Sequence, residues 1–165
     1  MLRTPTLLMK ELNYLRTEAT RLHSEDLERS YAPIDDKNEY KYDTGYSYES
    51  NRQEIERINK EELKIRSTLA KFNSVTKVKG LDLTIAEALV KIAQLKEEIK
   101  VLKRLADRRE YEETAVGSYA ASKAITTKIN YNQNKVKIDL NKLLRELSAI
   151  QIAVDETNLT TQIEY

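Results

Sequence analysis

Residues Leu83–Ala106 read LTIAEALVKIAQLKEEIKVLKRLA. Apolar side chains stand at Ile85, Ala88, Ile92, Leu95, Ile99, Leu102 and Ala106, in alternating steps of three and four. That spacing puts all of them on one stripe of an α-helix and suits left-handed, bundle-like packing. Thr84 and Glu87 form the sequence of a capping box, in which hydroxyl and carboxylate each satisfy an amide at the helix start. Gly80 marks a turn before the helix and Gly117 a break after it, so the segment is expected to be helical from about Ile85 to Glu113.

Three other segments carry the same period. The first runs from about Thr6 to Glu28 with Leu8, Leu12, Leu15, Ala19 and Leu22 on its stripe. The second runs from about Ser50 to Asn73 with Ile55, Ile58, Ile65, Leu69 and Phe72, interrupted at Glu62 where an apolar residue should stand. The fourth runs from about Asn132 to Asn158 with Val136, Leu140, Leu143, Leu147, Ile150 and Val154. At 1.5 Å per residue each helix is roughly 35–45 Å long.

Between the third and fourth helices, Ser122–Tyr131 changes to a period of two. Ile125, Thr127, Ile129 and Tyr131 face one side and Ala124, Thr126, Lys128 and Asn130 the other, the pattern of a strand. Leu159–Tyr165 and Glu39–Tyr48 are further strand candidates, the latter bending at Gly45. The expected fold is mainly α: four long helices in an elongated bundle or coiled-coil-like assembly, with a small β element. It is read as a single domain over 1–165, with a tyrosine-rich insert at about 31–49. Leu144 and Ile152 lie off the main stripe of the fourth helix, and a second apolar stripe implies a second partner, so a homo-oligomer is expected.

Composition narrows the functional classes. The chain has 165 residues, of which 28 are Lys or Arg and 27 are Asp or Glu, a balance that gives no long-range field for DNA, RNA or an anionic membrane. Three glycines and two prolines leave the helices uninterrupted. No run approaches the roughly 18 apolar residues of a membrane span, and no secretory signal is apparent. The absence of cysteine fits a reducing cytoplasm.

Catalytic chemistry finds little support. His23 is the only histidine, and it stands on a polar turn of the first helix. One histidine without cysteine does not make a zinc site of ordinary composition, and neither metal nor cofactor is expected. No nucleophile elbow, phosphate-binding glycine loop or dinucleotide fingerprint occurs. The pairs Glu61-Glu62, Glu97-Glu98 and Glu112-Glu113 are neighbours on helices and diverge by about 100°, which suits solvated faces.

The insert is more distinctive. Asn38–Gln53 reads NEYKYDTGYSYESNRQ and holds Tyr40, Tyr42, Tyr46 and Tyr48, with Arg52 one helical turn beyond. Phenol rings stack on flat ligands, and a guanidinium with free helix-start amides meets phosphate. Arg108, Arg109, Thr127, Asn130 and Tyr131 are candidates to complete such a site with charge and neutral hydrogen-bonding groups. Tyrosines at alternate positions equally suit an edge strand packed on helices.

Three stretches resemble the septicolysin-like family of small helical bacterial proteins. These are FNSVTKVKGLDLTIAEAL at Phe72–Leu89, ITTKINYNQNKV at Ile125–Val136 and IQIAVDETN at Ile150–Asn158. In the first, the features are Phe72-Asn73, Thr76, Gly80 and the Leu83-Thr84 helix start. The resemblance spans from about Arg52 onward and implies an elongated, self-assembling helical fold without a known chemistry; the tyrosine-rich insert departs from it.

The expectation is a non-catalytic, oligomeric helical protein that sequesters or senses a small anionic, nucleotide-like ligand. A phage sponge for a nucleotide immune signal is one setting for such a protein. The alternative is a coiled-coil scaffold or protein-interaction module, with the tyrosines as interface anchors.

Overall fold

The computed structural model describes residues 2–37, 39–40, 45–116 and 123–165, without the side chains of Ala115, Val116 and Lys123. Mainly helical architecture is what it shows. In chain order the elements are β1 (Leu2–Arg3), α1 (Pro5–Arg29), α2 (Tyr48–Val75), α3 (Ile85–Ala106), β2 (Tyr111–Val116), β3 (Lys123–Lys128), α4 (Gln133–Thr160) and β4 (Ile163–Glu164). The chain divides into two compact units, one of Met1–Thr76 with Glu156–Tyr165 and one of Lys77–Asp155.

In the first unit, the stripes expected of the first two helices face each other. Leu8, Leu15 and Leu22 of α1 pack with Ile55, Ile58 and Ile65 of α2, flanked by Leu12, Ala19 and Leu69. Ile58 and Ile65 are 1% and 0% exposed, each contributing about 1.5–3 kcal/mol of apolar burial. Asp26 meets Asn51 while Arg16 meets Glu62, so the two helices run antiparallel. Glu62, the break in the second stripe, accepts from Arg16 Nε at 3.3 Å and Arg66 Nε at 2.7 Å. The interruption is therefore an ion-pair bridge at the edge of the seam.

Helix α1 starts at Thr4, whose hydroxyl accepts from the Leu7 amide at 3.4 Å, with Pro5 at the first helical position. β1 and β4 pair antiparallel, Leu2 opposite Glu164 and Arg3 opposite Ile163. They bring Tyr165 over the α2 surface. Its hydroxyl donates to Glu61, and its ring centroid lies 4.0 Å from Lys64 Nζ and 5.5 Å from Arg3 Cζ. Burial, then the Glu61 carboxylate, push the Tyr165 phenol well above its ordinary pKa. Thr6 Oγ1 donates to the Asn158 carbonyl at 3.1 Å, tying α1 to the last turns of α4.

In the second unit, the chain turns at Gly80, where φ is +77°, a value glycine adopts without steric cost. The Val78 amide donates to the Leu83 carbonyl at 2.8 Å across that turn. The capping box is formed: Thr84 N donates to Glu87 Oε2 at 2.7 Å and Glu87 N to Thr84 Oγ1 at 3.2 Å. Ile85, Ala88, Ile92, Leu95, Ile99 and Ala106 of the predicted stripe are buried. Helix α4 runs antiparallel to α3, because Lys91 pairs with Glu146 at 2.6 Å while Tyr131 donates to the Leu105 carbonyl at 2.7 Å. Asn132 Oδ1 caps the start of α4 by accepting from Lys135 N at 3.1 Å.

Several boundaries differ from expectation. α3 ends at Ala106 instead of continuing to Glu113, because Tyr111–Val116 pairs with Lys123–Lys128 to form the β2–β3 hairpin. Tyr48 opens helix α2 instead of closing a strand, capped by Ser47, whose hydroxyl accepts from Ser50 N at 3.2 Å. Of the proposed Glu39–Tyr48 strand, the described part holds only a bridge between Tyr40 and Ile34. Leu159 and Thr160 belong to α4, which leaves Ile163–Glu164 as the C-terminal strand. Gly117 lies outside the described residues.

Candidate functional site

The two groups of predicted site residues belong to different units, and they meet different fates. In the first unit, positive φ at Gly45 (+64°) leads the chain into α2. Tyr46 then donates its hydroxyl to Asp26 Oδ1 at 3.0 Å, and Asn51 Nδ2 donates to the same oxygen at 3.1 Å. Arg52 forms an ion pair with Asp26 Oδ2, and its Cζ stands 5.4 Å from the centroid of the Tyr48 ring. Arg52 Nε is buried without a hydrogen-bond partner. The arrangement is the expected one of phenol, guanidinium and helix start, yet the anion at its centre is Asp26 from the end of α1. The Tyr/Arg corner carries its own carboxylate and joins α1 to α2.

Tyr40 and Tyr48 are exposed, at 75% and 56%, and Tyr40 sits on its bridge to Ile34. There Asp35 Oδ1 accepts from the Lys37 and Glu39 amides at 2.8 and 2.9 Å, closing a tight turn. Tyr42 lies outside the described residues.

In the second unit, Arg108 and Arg109 follow the end of α3 and lead into the β2–β3 hairpin. The hairpin register sets Tyr111 opposite Lys128 and Glu112 opposite Thr127. Its base is closed by the Ile129 amide on the Glu110 carbonyl at 3.1 Å. Gln133 Nε2 donates to the Ala106 and Arg108 carbonyls at 2.9 and 2.7 Å, fixing the turn that carries the two arginines.

Arg108 and Arg109 line two adjoining hollows. The larger, an open groove of about 900 Å³, is completed by Arg104, Asp107, Tyr111, Glu112, Glu113 and Thr114. The smaller, of about 120 Å³, is completed by Glu112, Thr127, Lys128 and Ile129. Among the described residues none of Arg104, Arg108 and Arg109 has an ion-pair partner, although carboxylates line the larger groove. Lys128 pairs with Glu110 at 3.2 Å and lies 5.0 Å from the Tyr111 ring centroid. The Tyr111 hydroxyl, then Glu110, hold its ammonium pKa above the ordinary value.

Thr127 thus joins Arg108 and Arg109, its hydroxyl donating to the Glu112 carbonyl at 3.2 Å. Asn130 is exposed, and Tyr131 spends its hydroxyl on the Leu105 carbonyl, where it anchors the start of α4. Sequence reasoning missed Arg104, Tyr111 and Lys128 as groove residues, and Asp26 as the partner of the tyrosine corner. For Tyr111 the available signal was Thr114-Ala115-Val116, a strand-favouring run that a helix reading to Glu113 overrides.

No helix among the described residues is long and apolar enough to cross a membrane. No protein-family model matches the chain, and no curated protein does. The chain is similar in fold to the crystal structure of a functionally unknown conserved protein from Corynebacterium diphtheriae. The TM-score is 0.71 at 12% identity, over 99% of this chain and 100% of that one. At that identity the likeness concerns the fold alone.

Proposed function

We propose that the chain is a non-catalytic binding protein for a small anionic, nucleotide-like ligand, held at the junction of α3 and the β2–β3 hairpin. The observation that carries this reading is the shared position of Arg108 and Arg109 on both hollows, with no ion-pair partner among the described residues. The small hollow, with two guanidiniums and Lys128, suits a phosphate, because Arg binds phosphate through paired charge-assisted hydrogen bonds. Tyr111, 54% exposed on the larger groove, offers a ring face for a base. Glu112 and Glu113 beside it are acceptors suited to ribose hydroxyls. A site of this kind stacks and neutralises without supplying a nucleophile or base, so the protein acts by sequestration or sensing. A phage-encoded sponge for a nucleotide immune signal is a role that fits such chemistry.

The site differs from the tyrosine-rich insert, where Asp26 already supplies the anion that Tyr46 and Arg52 hold. The test is the melting temperature against a panel of mono-, di-, tri- and cyclic nucleotides, in low salt and again in high salt. Binding raises the melting temperature by mass action, by an amount that shrinks as salt screens the phosphate contacts. A flat response to every member of the panel sinks the reading.

A second reading is a protein-interaction module, favoured by the hairpin itself. Residues 111–114 and 124–128 are exposed on both faces, and two-stranded ribbons of this kind are marginal alone. Co-purification of a protein that is lost on Tyr111→Ala and Ile125→Ser, with no nucleotide response, would favour this reading.

A further inference from the structure

The two hollows that share Arg108 and Arg109 differ in charge. The smaller, of about 120 Å³, is lined by three cations, Arg108, Arg109 and Lys128, and by one carboxylate, Glu112. Its lining sums to +2, or to +1 once Glu110, paired with Lys128 at 3.2 Å, is counted. That charge suits one phosphate group, since a monoester carries about −1.5 to −2 near neutral pH. The other two lining residues, Thr127 and Ile129, add no charge, and the Thr127 hydroxyl already donates to the Glu112 carbonyl.

The larger groove sets Arg104, Arg108 and Arg109 against Asp107, Glu112 and Glu113, so its lining is neutral as a whole. Two of those three arginines are the ones that a phosphate in the smaller hollow takes up. What then remains for the rest of a ligand is one cation, Arg104, facing three carboxylates. Among the described residues no ion pair takes up any of the three. A second phosphate leaving the smaller hollow would enter this region and meet like charge at close range. Glu112 lines both hollows and therefore acts at their junction. An uncharged body meets no such penalty. Lys128, a residue of the smaller hollow, lies 5.0 Å from the Tyr111 ring centroid, so the phosphate donors and the stacking ring are neighbours.

We propose that the ligand of this groove carries a single phosphate on an otherwise uncharged body, as in a nucleoside monophosphate or its cyclic form. Glu112 and Glu113 are the specificity-determining residues, because their charge turns polyphosphates away. This selectivity rests on the groove being the nucleotide site proposed for the chain, and it adds a rule for the number of phosphates.

Calorimetric titration of the full chain, free of divalent cations, tests it. The probes are the four common ribonucleoside monophosphates, their cyclic forms and the matching triphosphates. At least one monophosphate or cyclic monophosphate should bind, and the triphosphate of the same nucleoside should bind about 5-fold more weakly or worse, because one exposed charge contact shifts an equilibrium by up to about that factor. The Glu112→Gln/Glu113→Gln double variant keeps acceptor oxygens but loses both charges, and should shrink the preference by about 5-fold or more. Far-UV circular dichroism checks that the variant is folded, and the wild-type preference needs no variant at all. A triphosphate that binds wild type as tightly as its monophosphate overturns the selectivity while leaving the groove a nucleotide site. So does a preference that is unchanged in the folded double variant. Absence of binding by every probe overturns the site and its selectivity together.

Discussion

Tyr46 and Asp26, twenty positions apart, are joined by a hydrogen bond of 3.0 Å from phenol to carboxylate. The same carboxylate receives Asn51 and pairs with Arg52, so three groups at the start of α2 converge on the last turns of α1. The antiparallel pair of helices is closed at that end by one acid. The most conspicuous aromatic and basic stretch of the chain is, in its described part, a structural corner.

Asp26→Ala should therefore destabilise the first unit, by about 1–3 kcal/mol, because a partly buried guanidinium and two donors lose their acceptor together. Tyr46→Phe, which removes one hydrogen bond and keeps the ring, should cost about 1 kcal/mol. Urea unfolding measures both; Asp26→Ala at wild-type stability would show that the corner contributes nothing.

The seam of α1 and α2 should be sensitive to volume. Ile65 is fully buried, and Ile65→Ala should cost about 2–5 kcal/mol through lost transfer energy and the cavity left behind. Leu63→Ala, two residues away but 70% exposed, should change stability by less than about 0.5 kcal/mol. Equal costs at the two positions would contradict the packing described.

The capping box at α3 gives a third expectation. Thr84→Ala removes the hydroxyl that accepts from Glu87 N, and should cost about 1 kcal/mol, while Thr84→Ser should be close to neutral. Thermal unfolding distinguishes them, and equal melting temperatures for all three proteins would deny the cap a role.

Acid should unfold the protein partly through Glu62 and Glu87. Arg66 first, aided by Arg16, holds the Glu62 carboxyl below its ordinary value of 4.5. The Thr84 amide and hydroxyl do the same for Glu87. A depressed folded pKa means that the unfolded chain binds protons first as pH falls. The stabilisation is therefore complete above about pH 4.5 and is lost as pH falls through the depressed folded values. Stability measured from pH 7 to pH 3 should fall less steeply in Glu62→Gln than in wild type; parallel curves would remove Glu62 from the account.

The helices were legible because each carries its stripe for about four to six turns, and burial along α3 follows that stripe. Even the irregularity at Glu62 was visible, although its meaning as a bridge to Arg16 depends on a helix 46 positions away. The end of α3 was not legible, since Arg108-Arg109-Glu110-Tyr111-Glu112-Glu113 is as helix-compatible as the residues before it. What ends the helix there is the pairing of Tyr111–Val116 with Lys123–Lys128, a non-local interaction. The same gap hid the groove: Arg108, Arg109 and Thr127 are recognisable as polar candidates, but only the hairpin brings Thr127 beside the arginines. Asp26 was invisible for a like reason, since one acid among 27 acquires its role only when α1 and α2 lie side by side.

The central claim is that the arginines of the hairpin, and not those of the tyrosine-rich insert, bind the anion. Calorimetric titration of nucleotides into wild type, the Arg108→Ala/Arg109→Ala double variant and Arg52→Ala tests it most directly. The account predicts saturable binding to wild type, weakened at least about 30-fold in the double variant at ~1–2 kcal/mol per lost guanidinium contact, and unchanged in folded Arg52→Ala. Binding that survives the double substitution, disappears with Arg52→Ala, or is absent from wild type would contradict it.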